Sequence, residues 1–282
     1  MTLTSFCLVL FAAFLHAAWN IFIKSGPDKR LSMSLLCAGS ALLSALCLPW
    51  LPQPAAASWP YLAASVACQM VYYGLLITAY RYADMSQAYP LMRGTAPLWV
   101  LVAGVLWLQD ELSPLRLCAI TMLAGGICLM ANFKQLRHDP RLRKGLGFAL
   151  LNALFIAAYT VIDGIGVRLA GHSVSYTMWV FLLSGVLFCT LTAILMPATV
   201  LQYYRLAWLR GLLAGAASLI SYGLALWAMQ SAPVATVAAL RESSIIFASL
   251  LAYFYLGELI DRRRLFAIAL ALTGVLLLRL AK

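Results

Sequence analysis

The chain has 282 residues, 64% of them apolar and only 10% charged, with a formal net charge of +11. Its 20 Lys and Arg and 9 Asp and Glu are too few to clothe a soluble core, whose charged share runs to about 25%. Composition therefore excludes a soluble globular enzyme and makes lipid the solvent. The basic excess sits in short loops between apolar runs rather than along one amphipathic face, so nucleic acid is not an expected partner.

A bilayer span takes about 20 apolar residues, and hydropathy predicts ten helices, at about 3–23, 31–50, 59–82, 87–109, 114–132, 145–167, 175–197, 206–229, 233–256 and 263–280. The expected fold class is an all-α integral membrane protein. No Lys or Arg precedes the first apolar run, which continues through Trp19 to Ile23, so it reads as a span rather than a cleaved leader. Pro49, Pro52, Pro54 and Pro60 part spans 2 and 3, Pro114 and Pro233 stand at helix starts, and Pro197 closes span 7. In span 4, Pro90 and Pro97 bracket Arg93-Gly94-Thr95 and predict a loosened backbone. Gly211-x-x-x-Gly215 in span 8 is a close-packing signal. The seven cysteines lie inside apolar runs with no C-x-x-C pair and no His at ligand spacing, so they read as packing residues. Asp110, Glu111 and Glu258 read as solvated caps at the membrane surface. No metal or cofactor is expected, and no Ser/His/Asp or paired-carboxylate pattern supports an enzyme.

The charged linker 134–144 divides the chain into halves 1–133 and 145–282. A shift of 148 positions places Leu76 on Leu224, Arg93 on Arg241, Leu117 on Leu265, Ala119 on Ala267, Gly126 on Gly274 and Leu129 on Leu277, and sets Asp110 on Glu258. Two homologous halves with an odd number of spans each must insert in opposite senses, which predicts two inverted five-helix repeats of the secondary-transporter kind. Fourteen loop Lys and Arg follow odd-numbered spans and four lie on the other side. That bias favours termini outside the cytoplasm.

Charges within hydrocarbon are costly and mark protein- or water-facing positions. Here they are His16 in span 1, Arg93 in span 4, Asp163 near the end of span 6, and Arg241 and Glu242 in span 9. Both arginines lie too deep to snorkel, about 9–12 Å in at 1.5 Å per residue. A guanidinium fork suits a carboxylate, phosphate or phosphonate. Glu242 suits an ammonium or a proton, and His16 is a candidate proton carrier. The arginines would equally tie helices together through carbonyls and Glu242. Trp19 and Asn20 match Tyr159 and Thr160 at an offset of 140. Gln69, Tyr72, Tyr73, Ser218, Ser221 and Tyr222 are hydrogen-bonding side chains suited either to a ligand or to helix packing.

The run His16-Ala17-Ala18-Trp19-Asn20 with Lys24, the stretch Tyr80-Arg81-Tyr82-Ala83-Asp84-Met85-Ser86-Gln87-Ala88-Tyr89-Pro90-Leu91-Met92-Arg93-Gly94-Thr95-Ala96-Pro97, and in the second half Ala232-Pro233, Ala239-Leu240-Arg241-Glu242-Ser243-Ser244 and Leu256-Gly257-Glu258 resemble the EamA-type drug/metabolite transporter superfamily. The opening motif is similar to a branch associated with phosphonate utilisation. The resemblance implies a cavity lined by spans 1, 3, 4, 6, 8 and 9. Carried onto this chain, the implied substrate-binding residues are His16, Trp19, Asn20, Tyr73, Tyr89, Arg93, Tyr159, Tyr222, Arg241 and Glu242. It also implies cytoplasmic termini, against the loop charges. The function expected is inner-membrane secondary transport, by alternating access, of a small polar metabolite that is amino-acid-like, anionic or an aminophosphonate. The alternatives are a lipid flippase and a non-transporting receptor or accessory subunit. The expected partners are a small-molecule substrate, protons as candidate coupling ion and membrane lipid, with the chain a monomer or weak dimer.

Overall fold

The computed structural model describes residues 1–107, 113–131, 139–256 and 261–281. The expected caps Asp110, Glu111 and Glu258 and the linker residues 134–138 lie outside the described residues.

All regular structure among the described residues is helical: α1 (Leu3–Ser25), α2 (Lys29–Cys47), α3 (Trp59–Tyr82), α4 (Met85–Trp107), α5 (Pro114–Leu129), α6 (Pro140–Leu169), α7 (Ser173–Leu195), α8 (Pro197–Met229), α9 (Val234–Glu242), α10 (Ser244–Leu256) and α11 (Arg262–Leu280), with short 3₁₀ turns at Leu48–Trp50 and Ala56–Ser58. Eight segments among the described residues are long and apolar enough to cross a membrane, the last running from Val234 to Leu251 through α9 into α10. α5 is apolar but only 16 residues long, and α11 carries Arg262, Arg263, Arg264 and Arg279.

Helix starts follow cap chemistry rather than hydropathy. Asp139 accepts the backbone N–H groups of Arg141 and Leu142 ahead of Pro140 at the first helical position, so α6 begins five residues before the expected 145. Pro197 opens α8 instead of merely closing span 7, and α8 runs 33 residues. Both extensions carry basic or polar residues that a hydropathy window reads as loop.

The backbone at the two arginines also departs from expectation. α4 passes through Pro90 and Pro97 as one continuous helix; between the prolines Thr95 donates its hydroxyl to the carbonyl of Leu91 at 2.7 Å, a bond back along its own helix. Span 9, expected as one helix, is broken at Ser243. There the Ser243 N–H donates to the carbonyl of Leu240 at 3.2 Å and its hydroxyl donates to the same carbonyl at 2.7 Å, diverting an acceptor from the α-helical ladder.

The packing exchanges the halves. α6 lies against α3 and α4, while α1 lies against α8, α9 and α10; α2 packs on α7 and α5 on α11. At the last contact a Cβ on Gly126 would come 2.7 Å from Ala271 N and 2.8 Å from Ala267 O, and one on Gly274 would come 2.7 Å from Leu123 N and 2.8 Å from Ala119 O. The six positions form three pairs related by the offset of 148, and higher numbers on α5 meet lower numbers on α11. The two helices therefore cross antiparallel with two-fold exchange, and only glycine permits so close an approach. Gly211 and Gly215 serve the same end on α8, packed against Leu35 and the Leu36–Ser40 backbone of α2.

Candidate functional site

Every residue of α9 is buried, so Arg241 and Glu242 are enclosed by protein. Arg93 on α4 and Arg241 are 4% and 3% exposed. Nε of Arg93 lies 2.6 Å from Oε2 of Glu242, an ion pair by distance whose angle falls outside hydrogen-bond alignment. Arg241 has no carboxylate within ion-pair reach among the described residues. Its guanidinium lies 4.9 Å over the ring of Tyr222, and its Nε and Nη1 atoms are buried without hydrogen-bond partners. The arginines matched in sequence are thus unlike in charge environment: one is neutralised, the other is held on an aromatic face.

Both line a cavity of about 70 Å³, together with His16, Trp19, Tyr73, Tyr159 and Tyr222. That volume admits a few waters. Aromatic edges build the wall: Tyr159 meets Tyr72 at 5.8 Å and Tyr222 at 6.2 Å, Tyr73 meets Phe188 at 4.7 Å, and His16 stands against Trp19 at 4.6 Å. Met33 and Tyr73 also line a second cavity of about 340 Å³ that reaches the molecular surface at Asp28, Lys29, Arg30 and Arg81. Its size is at the lower end for small-molecule sites. The outer vestibule thus adjoins the arginine site on the face of the bundle where the α1–α2 and α3–α4 connections carry basic residues.

Not all expected site residues share this wall. Asn20 folds back, donating its Nδ2 to the carbonyl of His16 at 2.7 Å, as Thr160 does to Ile156 at 2.6 Å; in each matched pair the aromatic partner, Trp19 or Tyr159, faces the cavity and the polar one does not. Tyr89 lies behind Arg93, its ring 6.0 Å from the guanidinium. Glu242 is reached through Arg93. The wall also includes Met33 and Leu36 of α2 and Phe181 of α7, helices outside the expected six. Their apolar residues carry no sequence signal that separates a cavity wall from lipid contact.

The profile of the EamA-like transporter family matches residues 3–132 and again 143–280. The chain belongs to that family. It is a multi-pass membrane transporter, and the two matches are its two EamA repeats. A solved crystal structure, whose title gives no function, aligns over 98% of this chain and 98% of its own with a TM-score of 0.77 at 17% identity, a likeness of fold. It is one of 28 matching chains of solved structures. No curated protein matches the sequence. Within this EamA chain, one buried carboxylate stands outside the substrate-binding residues that the sequence reading names. Asp163 of α6 is fully buried and accepts hydrogen bonds from Tyr176 at 2.9 Å and from Tyr222. The sequence marks it as a charge within a span, near the end of span 6, and gives it no partner or role.

Proposed function

We propose that this EamA protein carries a small acidic or zwitterionic metabolite, amino-acid-like or an aminophosphonate, across a bacterial inner membrane, with Arg241 as anchor for the acid group. The observation that carries this reading is the guanidinium of Arg241, buried, without a carboxylate partner among the described residues, and set at an aromatic-lined cavity beside a wider vestibule. A desolvated guanidinium with free donors is a strong site for a planar or tetrahedral anion. Arg93 and Glu242 form a neutral pair beside it, and a substrate ammonium competes with Arg93 for Glu242.

Ten crossings follow if α5 and α11 span as well, α9 and α10 together counting as one. The antiparallel two-fold contact of α5 with α11 supports an inverted relation of the repeats, the architecture that works by alternating access. The vestibule opens on the face bearing Lys29, Arg30 and Arg81, which the charge bias makes cytoplasmic. The inner cavity is too small for such a metabolite, so binding must part Tyr73 from Met33 or widen the aromatic wall.

Sealed proteoliposomes offered labelled amino acids, 2-aminoethylphosphonate and simple organic acids test this reading. Movement of one acidic or zwitterionic compound, lost in Arg241→Ala at unchanged folding, is expected. Movement unaffected by Arg241→Ala removes that residue from the site, and movement of none of the panel overturns the substrate class.

A further inference from the structure

Among the described residues, Asp163 is the one buried charge that the transport reading above leaves idle, and its surroundings are unusual. A fully desolvated carboxylate is costly unless paired, yet no Lys or Arg among the described residues stands within ion-pair distance of it. Hydroxyls hold it instead: Tyr176 from α7 and Tyr222 from α8, with Ser65 of α3 also directed at it. The ring of Tyr176 can come this close because Gly166, one turn along α6, has no side chain in its path. The other titratable or charged groups facing Asp163 among the described residues are Cys68 of α3 and Arg241 of α9.

Tyr222 joins the two sites. Its hydroxyl donates to Asp163 while its ring carries the guanidinium of Arg241. A second connection runs through Ser65, which accepts a hydrogen bond from Gln69 at 3.1 Å, and Gln69 lines the arginine cavity.

The charges then balance. With the imidazole of His16 neutral, the buried cluster holds Arg93 and Arg241 against Glu242 and Asp163, a net charge of zero. A substrate anion arriving at Arg241 takes over the cation that offsets Asp163, and it leaves the cluster with one uncompensated negative charge in a low-dielectric interior. Binding of one proton restores neutrality. A proton on His16 would instead add a third cation beside two guanidinium groups in the empty site.

We propose that Asp163 is a proton-binding site coupled to the substrate site through Tyr222, so that a monoanionic substrate and one proton bind together. The coupling is reciprocal: the proton raises affinity for the anion by the factor by which the anion raises affinity for the proton. The proton is taken from solvent onto a carboxylate oxygen of Asp163, and no bond in the substrate changes. A substrate with no net charge brings no proton. An anion and a proton that bind together and leave together move in one direction with no net charge, which makes the step an anion–proton symport. The inference rests on the reading of Arg241 as the acid anchor.

The test is calorimetric titration of the full-length protein in lipid nanodiscs with 2-aminoethylphosphonate in its monoanionic form, in two buffers that differ in ionisation enthalpy. The difference in heat gives the protons taken up per ligand bound. About one is expected for the wild type and about none for Asp163→Asn, with ligand still bound. Tyr222→Phe keeps the ring under Arg241 but removes a donor to the carboxylate, so Asp163 already holds its proton in the empty site and uptake falls below that of the wild type. This second variant serves if Asp163→Asn fails to fold. Binding with no proton uptake by the wild type, or uptake unchanged in the variant that folds, overturns the proposal. Binding that Arg241→Ala leaves unaltered, or no binding by the wild type, instead overturns the anchor reading and the inference with it.

Discussion

The two repeats share a scaffold and differ in chemistry. Trp19 and Tyr159 occupy matched places on the cavity wall, Arg93 and Arg241 match at its centre, and Gly126 and Gly274 make mirror contacts at the α5–α11 crossing. Yet Tyr222 stands where the first repeat has Gly74, Glu242 where it has Gly94, and Asp163 where it has Ile23. His16 is the reverse case, facing Ile156 in the match. A strictly symmetric site would hold two like charges with nothing to offset them. The substitutions give one arginine a carboxylate and the other an aromatic face, which turns a duplicated position into two different charge environments. The backbones diverge as well: α4 stays continuous through two prolines, while its counterpart breaks at Ser243 beside the charged pair.

Removing the asymmetric carboxylate is expected to have the largest effect on stability. Glu242→Ala strands Arg93 as a lone buried charge, at a cost of about 3–5 kcal/mol. Thermal unfolding in detergent should show the loss, and the double variant Arg93→Met with Glu242→Met should be less damaged than Glu242→Ala, because no charge is then left unpaired.

Next comes Arg241→Ala. Loss of charge-assisted hydrogen bonds worth about 1.5–3 kcal/mol lowers substrate affinity about 10- to 150-fold, with a smaller change in melting than Glu242→Ala causes, since no ion pair is broken. Equal melting losses in the two variants would erase the distinction between the paired and the open arginine.

The symmetric part of the molecule gives a complementary expectation. Gly126→Ala and Gly274→Ala each drive a methyl group into the facing backbone, at about 1–3 kcal/mol, and the two losses should be alike within experimental error. A wide difference would show that the crossing is not two-fold in energy. The smallest effect is expected of Ser243→Ala, which removes a hydroxyl hydrogen bond worth about 0.5–1.5 kcal/mol. Hydrogen exchange should then show stronger protection around residues 243–247, as the backbone there regains helical pairing.

Much of the scaffold was legible because membrane burial writes it in runs of apolar residues. The repeat was legible through Arg93 and Arg241, Gly126 and Gly274, which are rare enough in such runs to fix an offset. Helix ends at Pro140 and Pro197 were not, because caps and interfacial turns are polar and a hydropathy window sees them as loop. The break at Ser243 had a local signal in the Ser243-Ser244 pair, but the prolines of span 4 were the louder one. Chain chemistry alone does not tell which proline-bearing helix stays continuous and which serine pair breaks one.

By itself the sequence determined that lipid is the solvent, that the chain is helical and duplicated, and that two arginines lie deep within it, since these follow from composition, periodicity and the cost of charge in hydrocarbon. Only the tertiary structure decided how those charges pair. Glu242 is adjacent to Arg241 in sequence but lies against Arg93 in space, because successive residues point about 100° apart around a helix and α4 packs against that side of α9. For the same reason Tyr222 and Asp163, 59 residues apart, meet below Arg241. Which of the two cations takes the carboxylate is a property of helix packing, and no local pattern encodes it.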